Sequence, residues 1–401
     1  MLQAVMYTLN SGGNYQPAGP LHLAGGTSSW RTPLAKDIRR FAEFQEIFLK
    51  HLRLLVEGLF GTILGAYGNP WQICPSPMLS CLLANCMERA TDMTNGGSKY
   101  HIMVPMYVGF ANTVNSLYNV KKMVFDDVNN VATLETLTMA LINNWGHSMS
   151  EPFFDTTGYG VIQTDVSKQK FLELREYALQ LPKFGTDTAN DELNDLAVWL
   201  AQEMDSITHS VLYNGPLAKV YEELRGKFGT ADHPFVFQVM TGSGTFESYV
   251  SVGASAGATP DGRLSGQPIA SDCSPQPYPQ DKPVPHIPPE KQLDIIDTLK
   301  PYSRLSKYIP NGCEVDIRIP ESFPQESLKE FILAFAKSET ASNLVSVTCA
   351  DDWTYEQSYS RFQQFDLIRN RMGGWSNFFV AMFTEHQKQQ QRRPVFRPHT
   401  K

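Results

Sequence analysis

Residues 371–380 read Arg-Met-Gly-Gly-Trp-Ser-Asn-Phe-Phe-Val and lie close to the C-terminal end of a 401-residue chain. The pair Gly373-Gly374 separates a predicted strand, residues 366–371, from an aromatic segment. Glycine has no Cβ and tolerates backbone conformations that other residues avoid, so two glycines in succession predict a tight turn. Taken alone, the pair needs no role beyond reversing the direction of the chain.

Three further glycine-containing segments lie upstream of this turn. Residues 257–263 read Gly-Ala-Thr-Pro-Asp-Gly-Arg and are followed by Gly-Gln-Pro at 266–268 and Ser-Pro at 274–275. Residues 182–187 read Pro-Lys-Phe-Gly-Thr-Asp, and residues 96–100 read Gly-Gly-Ser-Lys-Tyr. Each segment alone is common turn chemistry. The information therefore lies in their order along the chain.

Together the four segments resemble the motifs of the glycyl radical enzyme family, in the order in which that family carries them. The family has Gly-Gly-Ala-Lys-Tyr, Pro-Lys-Tyr-Gly-Asn-Asp, Thr-Pro-Asp-Gly-Arg and Arg-Val-x-Gly-Tyr-Ser, the last near the C-terminus. The resemblance spans nearly the whole chain. It implies an α/β fold, namely the second half of a ten-stranded barrel with surrounding helices, followed by a C-terminal glycine-radical loop domain.

The resemblance implies that Gly374 carries the stored radical of the family. A glycine Cα radical can flatten and delocalise between its two flanking amide groups, because no Cβ strains that plane. Arg371, Gly373 and Trp375 would support the loop, and Gly373 would ease the hinge motion that exposes Gly374 to an activating enzyme. Met372 and Trp375 depart conservatively from the commonest residues of the motif.

The resemblance also implies components that lie outside this sequence. No bound cofactor is expected, since a radical-SAM (iron-sulfur) activating enzyme would install the radical. The family relays that radical to a cysteine in a Gly-Cys-x-Glu or Cys-Cys segment, and residues 2–12 resemble the part that follows it. Residues 312–314 (Gly-Cys-Glu) match a later strand by position and are not expected to be that relay.

We therefore expect a fragment, a split-gene product or a decayed gene. Its partners would be the activating enzyme, an N-terminal half or complementary chain with the thiyl cysteine, and a small-molecule substrate. The assembled protein could be a homodimer, as relatives often are.

The six cysteines predict neither disulfide bonds nor a metal site. They lack a C-x-x-C pair and a histidine at ligand spacing, so no metal is expected. Cys74 and Cys81 are interpreted as core thiols, and Cys86 as a residue on a helix.

Composition argues against several classes of partner. The formal net charge is −7, which gives no electrostatic reason to bind nucleic acid or an anionic membrane. No apolar run approaches the ~20 residues that cross a bilayer, and the first residues do not resemble a signal peptide. We expect a cytoplasmic protein.

Hydrophobic periodicity predicts alternating helices and strands, which is typical of an α/β fold with largely parallel pairing. A long amphipathic helix is predicted over residues 33–67, with Pro33 in its first turn, and a second helix over 78–89. A buried strand is predicted over 102–108. Further helices are predicted over 111–126, 131–143, 168–181, 189–212 and 325–337, and further strands over 235–240, 314–319 and 344–348.

The distribution of proline divides the chain into predicted domains. Residues 274–290 contain seven prolines and are interpreted as an ordered but irregular connector. Residues 1–273 are assigned to a partial pyruvate formate-lyase-like barrel domain that lacks its N-terminal half. Residues 291–401 are assigned to a glycine radical domain.

Two other polar segments allow functional interpretations. Residues 242–245 read Gly-Ser-Gly-Thr and lack the spacing and the lysine of a phosphate-binding loop. A turn beside the barrel interior is the simpler interpretation, with Ser243 or Thr245 as a candidate substrate contact. Asp351 and Asp352 would point in opposite directions in an extended segment, which predicts a solvated turn rather than an acid/base pair.

The resemblance implies the radical-storing portion of an anaerobic, oxygen-sensitive lyase. Ser376, Phe379 and Val380 match the form Tyr-Ser-x-Tyr-Phe-Val of dehydratases and related C–X lyases, which favours elimination or decarboxylation of a small polar substrate. The alternative is non-catalytic: an inactive fragment, or a spare-part or scaffold protein that docks on a partner chain. An inactive scaffold would have been free to lose Gly374.

Overall fold

The computed structural model describes residues 1–9, 30–128, 130–147 and 165–400. Its α-helices are α1 (Leu2–Thr8), α2 (Phe41–Ala66), α3 (Pro77–Ser80), α4 (Phe110–Val124), α5 (Leu134–Ile142), α6 (Asp165–Gln180), α7 (Asp191–Tyr213), α8 (Ala218–Phe228), α9 (Tyr249–Ala254), α10 (Leu299–Ser303), α11 (Gln325–Lys337), α12 (Asp352–Ser360) and α13 (Thr384–Gln391). Within these described residues, none of the helices has the length and apolar character needed to cross a bilayer.

Short strands lie between these helices, which confirms the predicted α/β class. They are β1 (His101–Met103), β2 (Met106–Tyr107), β3 (Phe237–Val239), β4 (Gly242–Ser243), β5 (Leu293–Asp294), β6 (Gly312–Ile319), β7 (Leu344–Cys349), β8 (Arg369–Met372), β9 (Trp375–Phe378) and β10 (Phe396–Arg397).

A parallel sheet with the strand order β2-β4-β6-β7 positions the site. β1 pairs with β3, and β2, which follows β1 along the chain, pairs with β4. Two short strand pairs therefore take the place of one longer pair. The strand predicted over residues 102–108 is therefore interrupted. Pro105 lies in the gap, and proline has no N–H to donate to a neighbouring strand.

β6 separates two kinds of side chain, because successive residues of a strand point to opposite faces. One face contributes to the main apolar core, which it shares with α2, α4 and α7, through Cys313, Val315, Ile317 and Ile319. The other face carries Glu314, Asp316 and Arg318, and Asp316 lies opposite Ser346 of β7. All of β6 is buried, so its charged face is covered as well.

Aromatic side chains connect the helices to this sheet. The rings of Phe110 in α4, Phe184 after α6 and Tyr302 in α10 contact edge to face, with centroids 5.5 and 5.4 Å apart. All three side chains are fully buried. The Tyr302 hydroxyl donates a hydrogen bond to the carbonyl of Cys273 at 2.8 Å, so its polar atom is satisfied.

The helix predicted over residues 78–89 is wrong for most of its length. α3 ends at Ser80, and the following residues form successive turns. Asn85 and Ala90 have φ values of 76° and 48°, in the left-handed region that an α-helix excludes. Cys86 is therefore buried in a turn and does not lie on a helix.

The first long helix begins at Phe41 rather than near Pro33. A separate 3-10 turn, Ala35–Asp37, precedes it. The Glu43 carboxylate accepts a hydrogen bond from the amide of Arg40 at 3.3 Å. This contact satisfies one of the amides left free at a helix N-terminus and fixes the start of α2.

Two further predictions are wrong, one about a pair of cysteines and one about a pair of aspartates. Cys74 and Cys81 are exposed and are not core thiols. Asp351 and Asp352 start α12 instead of forming a solvated turn. Asp352 accepts a hydrogen bond from Nη2 of the buried Arg318 at 2.6 Å, which anchors this helix to β6.

The proline-rich connector has no helix or strand over residues 274–288, as predicted for an irregular segment. Side chains from elsewhere hold it in place. Arg392 donates to the carbonyl of Pro279 at 2.6 Å, and Arg175 forms an ion pair with Asp281 at 2.6 Å. The main apolar core contains residues from before and after the connector. The predicted domain boundaries therefore stay a prediction.

We expect Phe184→Ala to lower the free energy of unfolding by about 3–5 kcal/mol, because it leaves a cavity between Phe110 and Tyr302. Urea unfolding followed by circular dichroism measures the change. Trp71→Ala is the control, since that side chain is 94% exposed, and it should change the free energy by less than about 0.5 kcal/mol. Equal effects of the two substitutions would contradict the assigned core.

Candidate functional site

β8 and β9 form an antiparallel hairpin whose two-residue turn is Gly373-Gly374. The two glycines have φ values of +49° and +89°. Positive φ at both central residues is typical of a type I′ turn, which glycine accepts without strain. The turn predicted at the glycine pair is confirmed, and the strand before it is β8 rather than residues 366–371.

Side chains of β6 and β7 hold the hairpin tip through its backbone. The amide of Gly374 donates to Ser346 Oγ at 3.3 Å, and the amide of Gly373 donates to Asp316 Oδ1 at 3.4 Å. Ser346 and Asp316 are both buried. The tip therefore packs against the charged face of β6 and does not project into solvent.

The packing at the tip leaves no space for side chains. A Cβ atom on Gly374 would lie 2.8 Å from Cδ2 of Leu344, and one on Gly373 would lie 3.0 Å from Cδ1 of Phe246. Gly374 also has the larger φ, so any other L residue there would be strained in its backbone as well. Leu344 thus covers the Cα of Gly374.

Arg371 and Trp375, which were also predicted to support the loop, lie in β8 and β9, on the two sides of the turn. The amide of Arg371 donates to Thr348 Oγ1 at 3.1 Å, and its guanidinium donates to Ser376 Oγ across the hairpin at 3.1 Å. Trp375 pairs with Met372 beside the turn, and its side chain is 39% exposed. The structure brings the backbone of Arg371 to β7 and leaves the Trp375 ring partly at the surface.

A buried ion pair lies beneath the tip. Nη2 of Arg393 donates to Oδ2 of Asp316, while Nη1 donates to the carbonyl of Arg371 at 3.4 Å. Ser271 Oγ donates to the same oxygen of Asp316 at 2.8 Å. The segment after α13 is therefore connected to β6 and to the hairpin through one guanidinium, and both buried charges are compensated.

Two more carboxyl groups lie next to this ion pair. Asp272 accepts hydrogen bonds from the amide of Thr245, from Thr245 Oγ1 at 3.0 Å and from the amide of Phe246 at 2.9 Å. Glu314 is hydrogen-bonded to Asp272, and burial together with the charge of Asp272 raises the pKa of Glu314 to about 8. Burial and the charge of Asp316 raise the pKa of Asp272 as well, although the donors around it favour its ionised form.

The two predicted substrate contacts occupy different environments. Thr245 joins the carboxyl cluster, and its hydroxyl also accepts the amide of Asp272 at 2.9 Å. Ser243 is fully buried, and its hydroxyl donates to the carbonyl of Tyr107 at 2.7 Å. It lies in β4 in register with Tyr107 and Cys313, so this part of residues 242–245 is a strand and not the predicted turn.

The acids and the arginine around the tip were not predicted from the sequence. Residues 313–319 alternate apolar and charged side chains, and buried charges require partners. That signal could have identified Glu314 and Asp316. No local pattern points to Arg393, which lies 77 residues from Asp316 along the chain.

Two other groups of potentially reactive side chains lie outside this cluster. Cys273 and Cys313 are both buried, and a hydrogen bond with Cys273 together with burial raises the pKa of Cys313, so its reactive thiolate form is disfavoured. Asp294, Asp297 and His399 bring ligand-type atoms within 4.8 Å of one another. Asp294 already forms an ion pair with Arg397 at 3.1 Å, which compensates its charge without a metal.

Curated proteins that are similar to this chain are named as dehydratases and as a decarboxylase. Trans-4-hydroxy-L-proline dehydratase of Clostridioides difficile is 24% identical over 275 residues, which cover 67% of this chain and 27% of that protein. A probable dehydratase of Escherichia coli strain K12 is 27% identical over 311 residues, covering 77% of this chain and 33% of that protein. Indoleacetate decarboxylase of Tractidigestivibacter scatoligenes is 26% identical over 199 residues, 48% of this chain and 20% of that protein.

Solved structures share the fold. Hydroxyproline dehydratase from Clostridioides difficile matches with a TM-score of 0.68 at 17% identity, covering 99% of this chain and 43% of that one. The B12-independent glycerol dehydratase from Clostridium butyricum matches with a TM-score of 0.66 at 21% identity, covering 98% and 42%. The chain thus spans less than half the length of the solved proteins and a third or less of these curated relatives.

The fold and these relatives define the class as that of glycyl radical enzymes. A family model described as pyruvate formate lyase-like matches residues 1–215, more than half of the 401 residues. The chain belongs to the pyruvate formate lyase-like family. The resemblance drawn from the four sequence motifs is confirmed.

We expect Arg393→Met to lower the free energy of unfolding by about 3–5 kcal/mol, because it leaves the Asp316 carboxylate buried without its partner. The double variant Asp316→Asn/Arg393→Met should recover part of the loss, since it removes the unpaired charge. Chemical denaturation of the three proteins at one pH measures these differences. A double variant less stable than Arg393→Met would argue against a buried unpaired charge as the cause.

Proposed function

We propose that this chain is the radical-storing portion of an anaerobic glycyl radical lyase, with the radical on Gly374. The observation that carries the proposal is the position of Gly374 at the hairpin tip, where Leu344 covers its Cα and Ser346 binds its amide. A Cα between two amides can delocalise an unpaired electron, and the packing of Leu344 limits access to this partly buried glycine. The family membership and the lyases among its relatives support the same conclusion.

The hairpin tip is also suited to leave its site. Its two amide hydrogen bonds to Asp316 and Ser346 are long, at 3.4 and 3.3 Å, and the glycine pair contributes no side chain of its own. Gly373 would act as the hinge, while Arg371 and Trp375 would support the loop. In this proposal a radical-SAM activating enzyme receives the exposed tip and removes one hydrogen atom from Gly374.

The proposal includes a second half of the barrel that supplies the thiyl cysteine. Ile102 in β1 and Met106 in β2 are 58% and 36% exposed, although each lies in a parallel strand pair. Apolar side chains exposed on a sheet are covered in stable assemblies. A complementary chain or segment would cover them, complete a ten-stranded barrel and bring its cysteine to Gly374.

The proposed reaction is C–X elimination or decarboxylation of a small polar substrate. Relatives named as dehydratases and as a decarboxylase support both possibilities. Thr245 lies in the carboxyl cluster beside the tip and is the better placed of the two candidate substrate contacts. Ser243 would act indirectly, through the backbone of Tyr107.

We expect anaerobic incubation with the cognate activating enzyme and S-adenosylmethionine to give an organic-radical EPR signal that Gly374→Ala abolishes. Alanine would clash with Leu344 and be strained at this φ, and it would remove the planar glycyl centre. Gly58→Ala is the matched control, because Gly58 lies in α2 and a Cβ atom there would meet no other atom within 4 Å. It should retain the signal.

Labelling the glycines with carbon-13 at Cα should broaden the signal in the wild-type chain. A signal that persists in Gly374→Ala would place the radical elsewhere. A folded wild-type chain that yields no radical with an activating enzyme that acts on a relative would favour the spare-part or scaffold function.

Exposure of the activated chain to air should cut the backbone at Gly374, because oxygen adds to a Cα radical and the peroxyl product fragments. The expected C-terminal product comprises residues 375–401. Mass spectrometry before and after exposure identifies it. Activated Gly374→Ala treated in the same way should stay intact, and an uncut wild-type chain would contradict storage of the radical at this residue.

A further inference from the structure

A cavity of about 530 Å³ lies beneath the proline-rich connector, and its lining includes no residue of the hairpin or of the carboxyl cluster. Its walls come from the end of α6 and the turn after it, from the connector, and from residues at or next to β5 and β10. Leu179, Ile287 and Val395 belong to the apolar part of the wall. Cavities of roughly 300–1,000 Å³ with largely apolar walls are typical of small-molecule sites.

Hydrogen bonds from outside the connector fix the walls of this cavity. The amide of Tyr278 donates to the carbonyl of Arg392 at 2.9 Å, and the Arg392 guanidinium donates to the carbonyl of Lys282 at 2.8 Å. Lys282 also forms an ion pair with Glu176 of α6. The connector is therefore fastened to two other parts of the wall. A preformed cavity costs a ligand less ordering entropy than one that must form on binding.

The side chain of Gln276 has a defined orientation in the cavity wall. The amide of Phe184 donates to Asn115 Oδ1 at 2.8 Å, and Asn115 Nδ2 donates to Gln276 Oε1 at 2.9 Å. Because a backbone N–H group can only donate, these two bonds assign the oxygen and nitrogen atoms of both side-chain amides. The N–H groups of Gln276 Nε2 are left without a partner in the described part of the chain.

Lys183 adds a second donor to the same part of the wall, since it directly precedes Phe184. Its ammonium donates to the carbonyl of Ala178 at 2.7 Å and forms no ion pair with a described carboxylate. An ammonium group has three N–H donors, so two stay available. Burial lowers the pKa of Lys183 to about 8, although the charge of Asp261 opposes the shift. A ligand carboxylate would compensate this buried charge.

The other charges that line the cavity balance one another. Lys282 is paired with Glu176, and Asp187 and Lys291 contribute one charge of each sign. Lys183 is the cation that remains. A ligand with one carboxylate would leave the cavity neutral, whereas a cationic ligand would be repelled by Lys183.

We propose that this cavity binds a small monocarboxylate with an apolar body, whose carboxylate accepts hydrogen bonds from Lys183 and Gln276. The two donors lie close together, because Asn115 binds both Gln276 and the amide of the residue after Lys183. The apolar walls would cover the body of the ligand. This site is separate from the proposed site of radical storage and does not depend on it.

Isothermal titration calorimetry of this chain with 2-naphthoate tests the proposal, and 2-naphthamide is the uncharged probe of the same shape. We expect one naphthoate per chain and a dissociation constant for naphthamide that is about tenfold higher, because hydrogen bonds between charged groups are the stronger ones. Lys183→Met should weaken naphthoate binding by about tenfold and leave naphthamide binding unchanged. Lys329→Met, at a side chain 67% exposed on α11, is the matched control and should change neither.

Two further variants do not disturb the contact between Lys183 and α6. Gln276→Glu still offers an oxygen to Asn115 but replaces the free donors with a negative charge, so it should weaken naphthoate binding and not naphthamide binding. Ile287→Trp fills the cavity from the partly exposed connector and should abolish the binding of both probes. Circular dichroism and urea unfolding verify that each variant is folded.

The outcomes separate this inference from the proposed function. Equal affinity for the two probes would overturn the ligand class, and unchanged binding by Ile287→Trp would place the site elsewhere. Absence of binding by the folded wild-type chain would overturn the proposal. Loss of binding when the chain self-associates, or when the half that completes the barrel is added, would show that a protein surface fills the cavity and would also overturn it. Each of these results leaves the storage of a radical on Gly374 untouched.

Discussion

The carboxylate of Asp316 joins three parts of the chain that are far apart in sequence. One oxygen accepts the amide of Gly373, and the other binds Arg393 and Ser271. A buried charge is costly unless it is paired and hydrogen-bonded, so each of these partners is fixed by the need to satisfy this one group. The hairpin, the segment after α13 and the central sheet are therefore positioned relative to one another through a single side chain.

The glycine pair is held in a way that suits both storage and release. It contributes only backbone groups, so the tip fits closely under Leu344 and yet is retained by two long hydrogen bonds. The left-handed turn is an intrinsic preference of glycine and does not depend on those contacts. A tip with this construction can move as a unit, which is the property that the proposed exchange with an activating enzyme requires.

The two acids on the charged face of β6 have different contacts. Asp316 binds the hairpin and Arg393, whereas the side chain of Glu314, two residues earlier on the same face, lies next to Asp272. Relatives of this chain include dehydratases and a decarboxylase, and the solved neighbours share only the fold at 17–21% identity. Overall similarity therefore does not decide between these reactions.

The sequence by itself determined the family, the α/β class and the glycine turn, because each depends on short motifs or on periodicity. α11 was predicted residue for residue, since its apolar spacing and its flanking residues are local signals. Predictions failed around Cys81 and Cys86, where left-handed residues break a helical pattern. Only the tertiary structure decided that Asp272, Glu314, Asp316 and Arg393 meet beneath Gly373, because parallel pairing brings together residues with no local relation in the chain.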